Sequence, residues 1–164
     1  MLKSFGLIDN SFFYRRRSVE NCIIRRLRPE DADEINRISA AITNVPAEYD
    51  FKRMIEDHAG RSEDASFVAE RQGQVVGYLI ISILSGFFGI KRSAWISLLG
   101  VHPRFMGQRI GEKLAEEGFK YCKFQGIKDI YTTVRWDSTD LLSFFKTLGF
   151  DRSNFINLRK KLDL

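Results

Sequence analysis

The residues whose types and spacing suit them to chemistry lie between positions 93 and 128. An apolar run, Ala94 to Val101, meets His102-Pro103, and Met106-Gly107-Gln108-Arg109-Ile110-Gly111 then opens a long helical pattern. A strand that feeds a glycine-bearing turn at a helix start is an anion site. The first amides of a helix have no acceptor within it and carry the positive end of its macrodipole, so a phosphate there is held by backbone.

The rest of the chain has to position that turn. At 164 residues it is expected to form one ordinary domain, residues 21–164, behind an arm of residues 1–20. Hydrophobic residues make up 44% and charged residues 29%, a globular composition. The strongest apolar run, Val75 to Leu84, is interrupted by Gly77 and Ser82 and is far short of the ~20 residues of a membrane span. The arm lacks the ordered regions of a secretory signal, so a cytoplasmic location is expected. Its aromatics read either as an extra strand or frayed end, or as a contact with a membrane surface or a second copy in a homodimer. Cys22 and Cys122 show no paired spacing and read as free thiols of a reducing compartment, and the isolated His58 and His102 suggest no metal site. The net charge of +5 fits a solvated basic face better than a nucleic-acid surface, and a polyanionic cofactor would also be drawn to it.

Periodicity predicts the elements in order. Cys22 to Leu27 reads as a strand, and Pro29 with Glu30, Asp31 and Asp33 starts a helix that ends near Asn44. A second helix covers Phe51 to His58. Ala65–Arg71 and Val75–Leu84 form a hairpin through Gln72-Gly73-Gln74, followed by a loop carrying Phe87 and Phe88. After the central strand and helix, with Gly126 just past the helix end, Asp129 to Val134 is a strand. Asp137 or Ser138 caps a helix through Leu148, and Phe150 to Leu162 is predicted as a last strand. This order predicts an α/β domain with a mixed, mostly antiparallel central sheet flanked by helices.

Three stretches of this chain resemble the GCN5-related N-acetyltransferase (GNAT) family over about Cys22 to Leu162. Val101-His102-Pro103 with Met106 to Gly111 is similar to the family's V-x-P-x-x-R/Q-G-x-G-x-G/A acetyl-coenzyme A motif. Ser138-x-x-Leu141-x-x-Phe144-Phe145-x-x-x-Gly149-Phe150 is similar to its N-x-x-A-x-x-F/Y-Y-x-x-x-G-F, and Ile24-Arg25-x-Leu27-Arg28-Pro29-x-Asp31-Ala32 to its usual opening. The resemblance implies the acyl-CoA N-acyltransferase fold. It also implies a cofactor site with the pyrophosphate on Met106, Gly107, Gln108, Arg109, Ile110 and Gly111, the pantetheine arm along Leu99, Gly100 and Val101, and Ser138, Phe144 and Phe145 nearby.

The chain departs from the family's pattern where chemistry is concerned. Met106 replaces the usual Arg or Gln, and Arg109 the middle glycine, so Arg109 either turns away from the pyrophosphate or reaches over it. Acetyl transfer needs a neutral amine, a group to take its proton and a group to protonate the leaving thiolate. Members of the family often use a carboxylate on the central strand and a tyrosine of the second motif. Here Ser93 to Val101 has no carboxylate, and Phe145 stands at the tyrosine position and has no proton to give. Trp95 and Ser97 are expected on one side of that strand with Leu99 and Val101. Glu70 and Asp137 are the weak candidates for a base, each also readable as a surface charge or cap, and Tyr121 and Tyr131 are candidates for an acid.

The resemblance thus implies an acetyl-CoA-dependent N-acetyltransferase that moves an acetyl group directly to a primary amine of a small molecule or protein in a ternary complex. The alternative is a non-catalytic acyl-CoA-binding regulator of the same fold. A third reading, nucleic-acid binding through the arginine-rich arm, predicts salt-sensitive association.

Overall fold

The computed structural model describes residues 22–45, 49–61, 64–86 and 89–162, with backbone alone for Tyr49 and Asp50. The arm of residues 1–20 and the loop aromatics Phe87 and Phe88 lie outside the described residues. The chain divides into two compact units, one running to Thr132 and the other from Thr133.

In the first unit the β-rich runs become a five-stranded sheet in sequence order, β1 (Cys22–Arg26), β2 (Phe67–Arg71), β3 (Gln74–Ser85), β4 (Arg92–Val101) and β5 (Ile130–Thr132). Neighbours are antiparallel through β4, while β4 and β5 run parallel because a helix connects them. The mixed, mostly antiparallel sheet expected from the sequence is therefore present. Gln72 and Gly73, with φ of 52° and 77°, make the two-residue hairpin loop between β2 and β3, whose positive φ values match the twist of the flanking strands.

Three helices accompany the sheet: α1 (Ala32–Thr43), α2 (Tyr49–Ala59) and α3 (Ile110–Phe124). Strand alternation sends even-numbered residues of β3 to one face, where Tyr78 and Ile80 join Ile35 and Ile38 of α1 and Ile55 of α2 in a buried cluster. Gly77, Leu79 and Ile81 face α3. A Cβ on Gly118 would stand 2.8 Å from side-chain atoms of both Leu79 and Ile81, so only a glycine lets the helix lie this close to β3.

The opening motif proves to be an electrostatic staple. Arg25 forms a two-pronged bond with the buried Asp31, Nη2 to Oδ1 at 2.7 Å and Nη1 to Oδ2 at 2.8 Å, and its Nε donates to Glu70 Oε2 at 2.7 Å. Asp31 also accepts the Arg28 amide at 2.8 Å, fixing the turn Pro29–Asp31 that leads into α1. The hydrogen bonding of Arg25 to the Asp31 carboxylate is the chief reason its guanidinium is held even more firmly charged than usual, against the opposing effect of burial.

The second unit contains α4 (Thr139–Thr147). Both long motifs end their helices in the same way. Gly126 and Gly149 have φ of 73° and 86°, and the amides after them, Ile127 and Phe150, reach back to Cys122 O at 2.9 Å and Phe145 O at 3.0 Å. The left-handed residue closes the helix, and in α4 Phe150 packs edge-on against Phe145, the two centroids 5.1 Å apart.

The strand expected over Phe150–Leu162 is not formed. Residues 151–162 are exposed extended or irregular chain with no ladder partner. Apolar content alone does not make a strand, because the backbone needs an edge to bond to, and Phe155 and Ile156 are adjacent rather than alternating. Both cysteines are free: Cys22 half-buried and Cys122 buried, where burial pushes its thiol up to about 11. No described helix is long and apolar enough to cross a membrane.

Candidate functional site

The central strand is interrupted at one place. On β3, Ile80 and Ile81 are consecutive, but their β4 partners are Leu98 and Ile96, so Ser97 is the extra residue of a β-bulge. A one-residue insertion reverses the sidedness of everything beyond it. Trp95 pairs with Ser82, on the α1 side, whereas Leu99 pairs with Leu79, on the α3 side. The expectation that Trp95 and Ser97 share a face with Leu99 and Val101 is therefore corrected: the bulge separates the two pairs.

The same point marks the end of pairing with β5. The parallel ladder runs only over Ala94–Ile130, Trp95–Tyr131 and Ile96–Thr132, and the Thr132 hydroxyl closes it by donating to Ile96 O at 3.1 Å. From Ser97 to Val101, β4 pairs with β3 and, among the described residues, with no strand on its other side. In such a half-paired strand, alternate residues turn their N–H and C=O outward as a template for an amide-containing ligand. Leu99, Gly100 and Val101 all lie on this stretch.

Beyond Val101 the chain is pinned before it turns. The His102 amide donates to Val76 O at 2.8 Å, and Val76 is itself the extra residue of a bulge, between the pairs Ala69–Gly77 and Glu70–Val75. A single 3-10 turn, Pro103–Phe105, leads to Met106, which is exposed, and to Gly107 at φ 74°. A Cβ placed on Gly107 would meet nothing within 4 Å, so the backbone there faces open space.

Arg109 is the residue before α3 and adopts the left-handed conformation, φ 60° and ψ 18°, that a glycine takes without strain. Its side chain is exposed and turns along the helix, Nε to Glu112 Oε2 at 2.7 Å. The hydrogen bond to Glu112 raises the guanidinium above its ordinary value. The Arg109 carbonyl accepts the Lys113 amide at 3.1 Å, so the amides of Ile110, Gly111 and Glu112 come before the first bond of the helical ladder.

Gln108 ties the turn down. Its Oε1 accepts from Arg71 Nη1 at 3.3 Å, and its Nε2 donates to Arg104 O at 3.5 Å, while the Arg71 guanidinium lies 5.5 Å from the Phe105 ring centre. Ile110 is buried against the sheet, where Gly77 leaves room for it: a Cβ on Gly77 would lie 3.3 Å from Ile110 Cγ2 and 3.1 Å from Gly100 O. Burial pushes the nearby Cys22 thiol up, with Lys113 and Arg71 pulling against it, so both cations are close to the same end of the sheet.

The candidates for a base have other partners. Glu70 is held by Arg25. Asp137 is exposed and chelated by Arg135 at 2.9 and 2.6 Å, whose hydrogen bonding keeps the carboxyl below its usual range. In the second unit Ser138 directly precedes α4, but its carbonyl accepts the Leu142 amide at 3.0 Å and its hydroxyl makes no cap bond, contrary to the expected side-chain cap. Phe144 and Phe145 meet edge-on, 5.4 Å between centroids. Tyr121 sits under Arg26, 4.6 Å from guanidinium carbon to ring centre, as a packing residue of α3.

Two features were not singled out from the sequence. One is Arg71, which holds the turn from the neighbouring hairpin. The other is an imidazole–carboxylate pair, His58 Nδ1 to Asp64 Oδ2 at 2.9 Å, with Asp64 Oδ1 accepting the Ile83 amide at 3.1 Å. Neither has a local sequence signal, because each joins residues of different elements.

The strand, glycine-bearing turn and helix start expected from the sequence are all present, and the bulge that opens the strand is added by its pairing with β3. Residues 32–150, well over half of the chain, match the acetyltransferase (GNAT) family. The chain belongs to that family. This GNAT chain is 31% identical over 103 residues to a mycothiol acetyltransferase of Amycolatopsis mediterranei (strain U-32), covering 61% of this chain and 34% of that protein. It thus spans about a third of the length of that curated relative. Its fold is shared with glucosamine-6-phosphate N-acetyltransferase from Arabidopsis thaliana, at a TM-score of 0.70 and 20% identity, covering 88% of this chain and 100% of that one. It is shared equally with the aminoglycoside N-acetyltransferase AAC(6')-Iy, a structure in complex with CoA, at a TM-score of 0.73 and 15% identity, covering 85% and 94%.

Proposed function

We infer that this GNAT protein is an acetyl-CoA-dependent N-acetyltransferase that transfers acetyl directly to a primary amine. The observation that carries the reading is the continuity of one binding track: the open β4 edge from Ser97 to Val101, the pinned turn, and the leading amides of α3. The residues fit the donor. The amides from Gly107 to Glu112 suit a pyrophosphate, and the outward backbone of Leu99 and Val101 suits the two amides of a pantetheine arm. Five residues of strand at ~3.3 Å each span about 16 Å, so a ligand anchored at the turn presents its far end near the Ser97 bulge.

The donor supplies a thioester carbonyl; the protein's work is to hold the amine beside it and remove a proton. With Glu70 and Asp137 engaged elsewhere and no carboxylate on β4, proton removal is assigned to water, with the surroundings lowering the amine's basicity. The relatives named above support the class of reaction.

The test is release of free thiol from acetyl-CoA in the presence of a broad panel of amines and peptides. Multiple turnovers with a primary amine are expected. Micromolar acetyl-CoA binding without turnover on any acceptor would replace this reading with the non-catalytic binder, a reading that Phe145 and the carboxylate-free strand favour.

A further inference from the structure

Acetyl transfer leaves one proton unassigned. The attacking amine gives its proton to water, but the departing thiolate has to gain one, and neither Phe145 nor the carboxylate-free β4 has one to give. Among the described tyrosine side chains, Tyr121 packs under Arg26, and Tyr131 is stacked on Trp95, past the bulge. Tyr78 stands within the apolar run of β3, and the sheet aims it at the binding track.

Tyr78 pairs with Gly100 across the β3–β4 ladder. A Cβ built on Gly100 would lie 2.7 Å from Tyr78 Cε1 and Cζ and 2.8 Å from its hydroxyl oxygen. Neighbouring strands are about 4.8 Å apart, so the ring has crossed that gap and ends over β4. Gly100 is what admits the phenol, because a side chain there would displace its hydroxyl end. It belongs to the stretch Ser97–Val101, whose far side meets no strand among the described residues. The hydroxyl therefore stands over the track, between the pinned turn and the bulge. The acetyl group fills the last part of the donor, so on the reading above its sulfur comes short of the bulge, toward Gly100.

The partner of this hydroxyl is Ser39 of α1. Tyr78 is buried and Ser39 half-buried, so two hydroxyls run from the line of β4 to a residue that solvent reaches. Burial raises the phenol and outweighs the Ser39 bond, which works toward the phenolate, as a bond donated by Ser39 does. The phenol thus keeps its proton at neutral pH, and Ser39 is placed to return one.

We propose that Tyr78 is the acid of the transfer, giving its proton to the leaving sulfur directly or through one water, and that Ser39 connects it to solvent. This deepens the acetyltransferase reading and rests on it. The amine nitrogen bonds to the acetyl carbon and loses its proton to water. The carbon–sulfur bond breaks with its electron pair going to sulfur, and sulfur takes the Tyr78 proton. Ser39 then passes a proton to the phenolate and regains one from water, so the enzyme ends as it began. An alkyl thiol ionises near ~8.5 and a phenol near ~10, close enough for the proton to pass as the bond lengthens.

The test uses the full chain, acetyl-CoA and the primary amine that the parent protein turns over fastest. Tyr78→Phe keeps the ring over Gly100 and removes only the hydroxyl. It is expected to lower kcat at least about tenfold, the lower end of what a positioned acid contributes, with the dissociation constant for CoA within about twofold. Retained CoA binding also shows that the variant is folded. Ser39→Ala should lower kcat by less than Tyr78→Phe does, again with CoA affinity kept. A kcat for Tyr78→Phe that falls less than tenfold would overturn the proposal, as would a CoA affinity that falls as far as kcat, the mark of a packing role. A parent protein that binds CoA and turns over no amine is recognised before any variant is compared. That result would remove the underlying acetyltransferase reading and this proposal with it.

Discussion

Arg109 holds the left-handed conformation at the start of α3 and lays its guanidinium along the helix onto Glu112, Nε to Oε2 at 2.7 Å. Both facts bear on a position where the family usually has glycine. The side chain is drawn along α3 by its bond to Glu112, and its backbone is in a conformation that costs a non-glycine residue energy. Arg109→Gly is therefore expected to leave the acetyl-CoA dissociation constant within threefold and to raise the melting temperature slightly, by calorimetry and thermal unfolding. A tenfold or greater loss of affinity would mean that the arginine leaves Glu112 to contact phosphate.

Gly100 lies on the open stretch of β4 for a reason internal to the sheet. Its would-be Cβ is 2.7 Å from Tyr78 Cε1 and Cζ, and Tyr78 is buried and hydrogen-bonded to Ser39, so the ring has nowhere to go. Gly100→Ala should cost about 1–3 kcal/mol by overpacking. Urea unfolding would measure it. A cost within error of zero would show that the ring yields freely.

How far the site was legible follows from which signals are local. The turn Met106–Gly111 and the helix end Gly149-Phe150 announce themselves through glycines at fixed offsets, and both are present as read. The Ser97 bulge does not announce itself. The run Trp95 to Val101 has no alternation from which to read a slip, and only the β3 partners reveal that the strand changes face within it. Arg25 and Asp31 were visible as a pattern but not as a bonded pair, because Glu70, the third member, comes 45 residues after Arg25. The predicted last strand failed for a related reason: composition shows what a segment would bury, while a strand exists only where an edge accepts it.

Arg71 and Gln108 are predicted to act on cofactor affinity as one unit. Their bond at 3.3 Å ties the hairpin to the turn, and Arg71 also lies over Phe105. Arg71→Ala and Gln108→Ala should each weaken acetyl-CoA binding by about threefold to tenfold, the effect of ~1 kcal/mol lost on ordering the turn. The double variant should be little worse than the weaker single one. Fully additive losses would separate them into independent ligand contacts.

Asp64 makes the acid stability of the fold testable. Burial pushes its carboxyl up, but the His58 hydrogen bond, the Ile83 amide and the nearby His58 and Arg61 charges together outweigh that, and the net direction is downward from 3.8. A carboxyl depressed in the folded state contributes stability that is fully present above its unfolded value and is lost as pH falls through the folded one. Asp64→Asn keeps the shape while removing the charge. It should destabilise the protein by about 1–2 kcal/mol at neutral pH, the scale of one charge-assisted hydrogen bond. Between pH 4 and pH 2 that difference should shrink, because the wild-type carboxylate is neutralised and its advantage disappears. Urea unfolding of both proteins at pH 6, 4 and 3 measures the gap directly. A gap that stays constant or widens toward acid would mean that the pair does not lower the Asp64 carboxyl and that His58 serves the fold by packing alone.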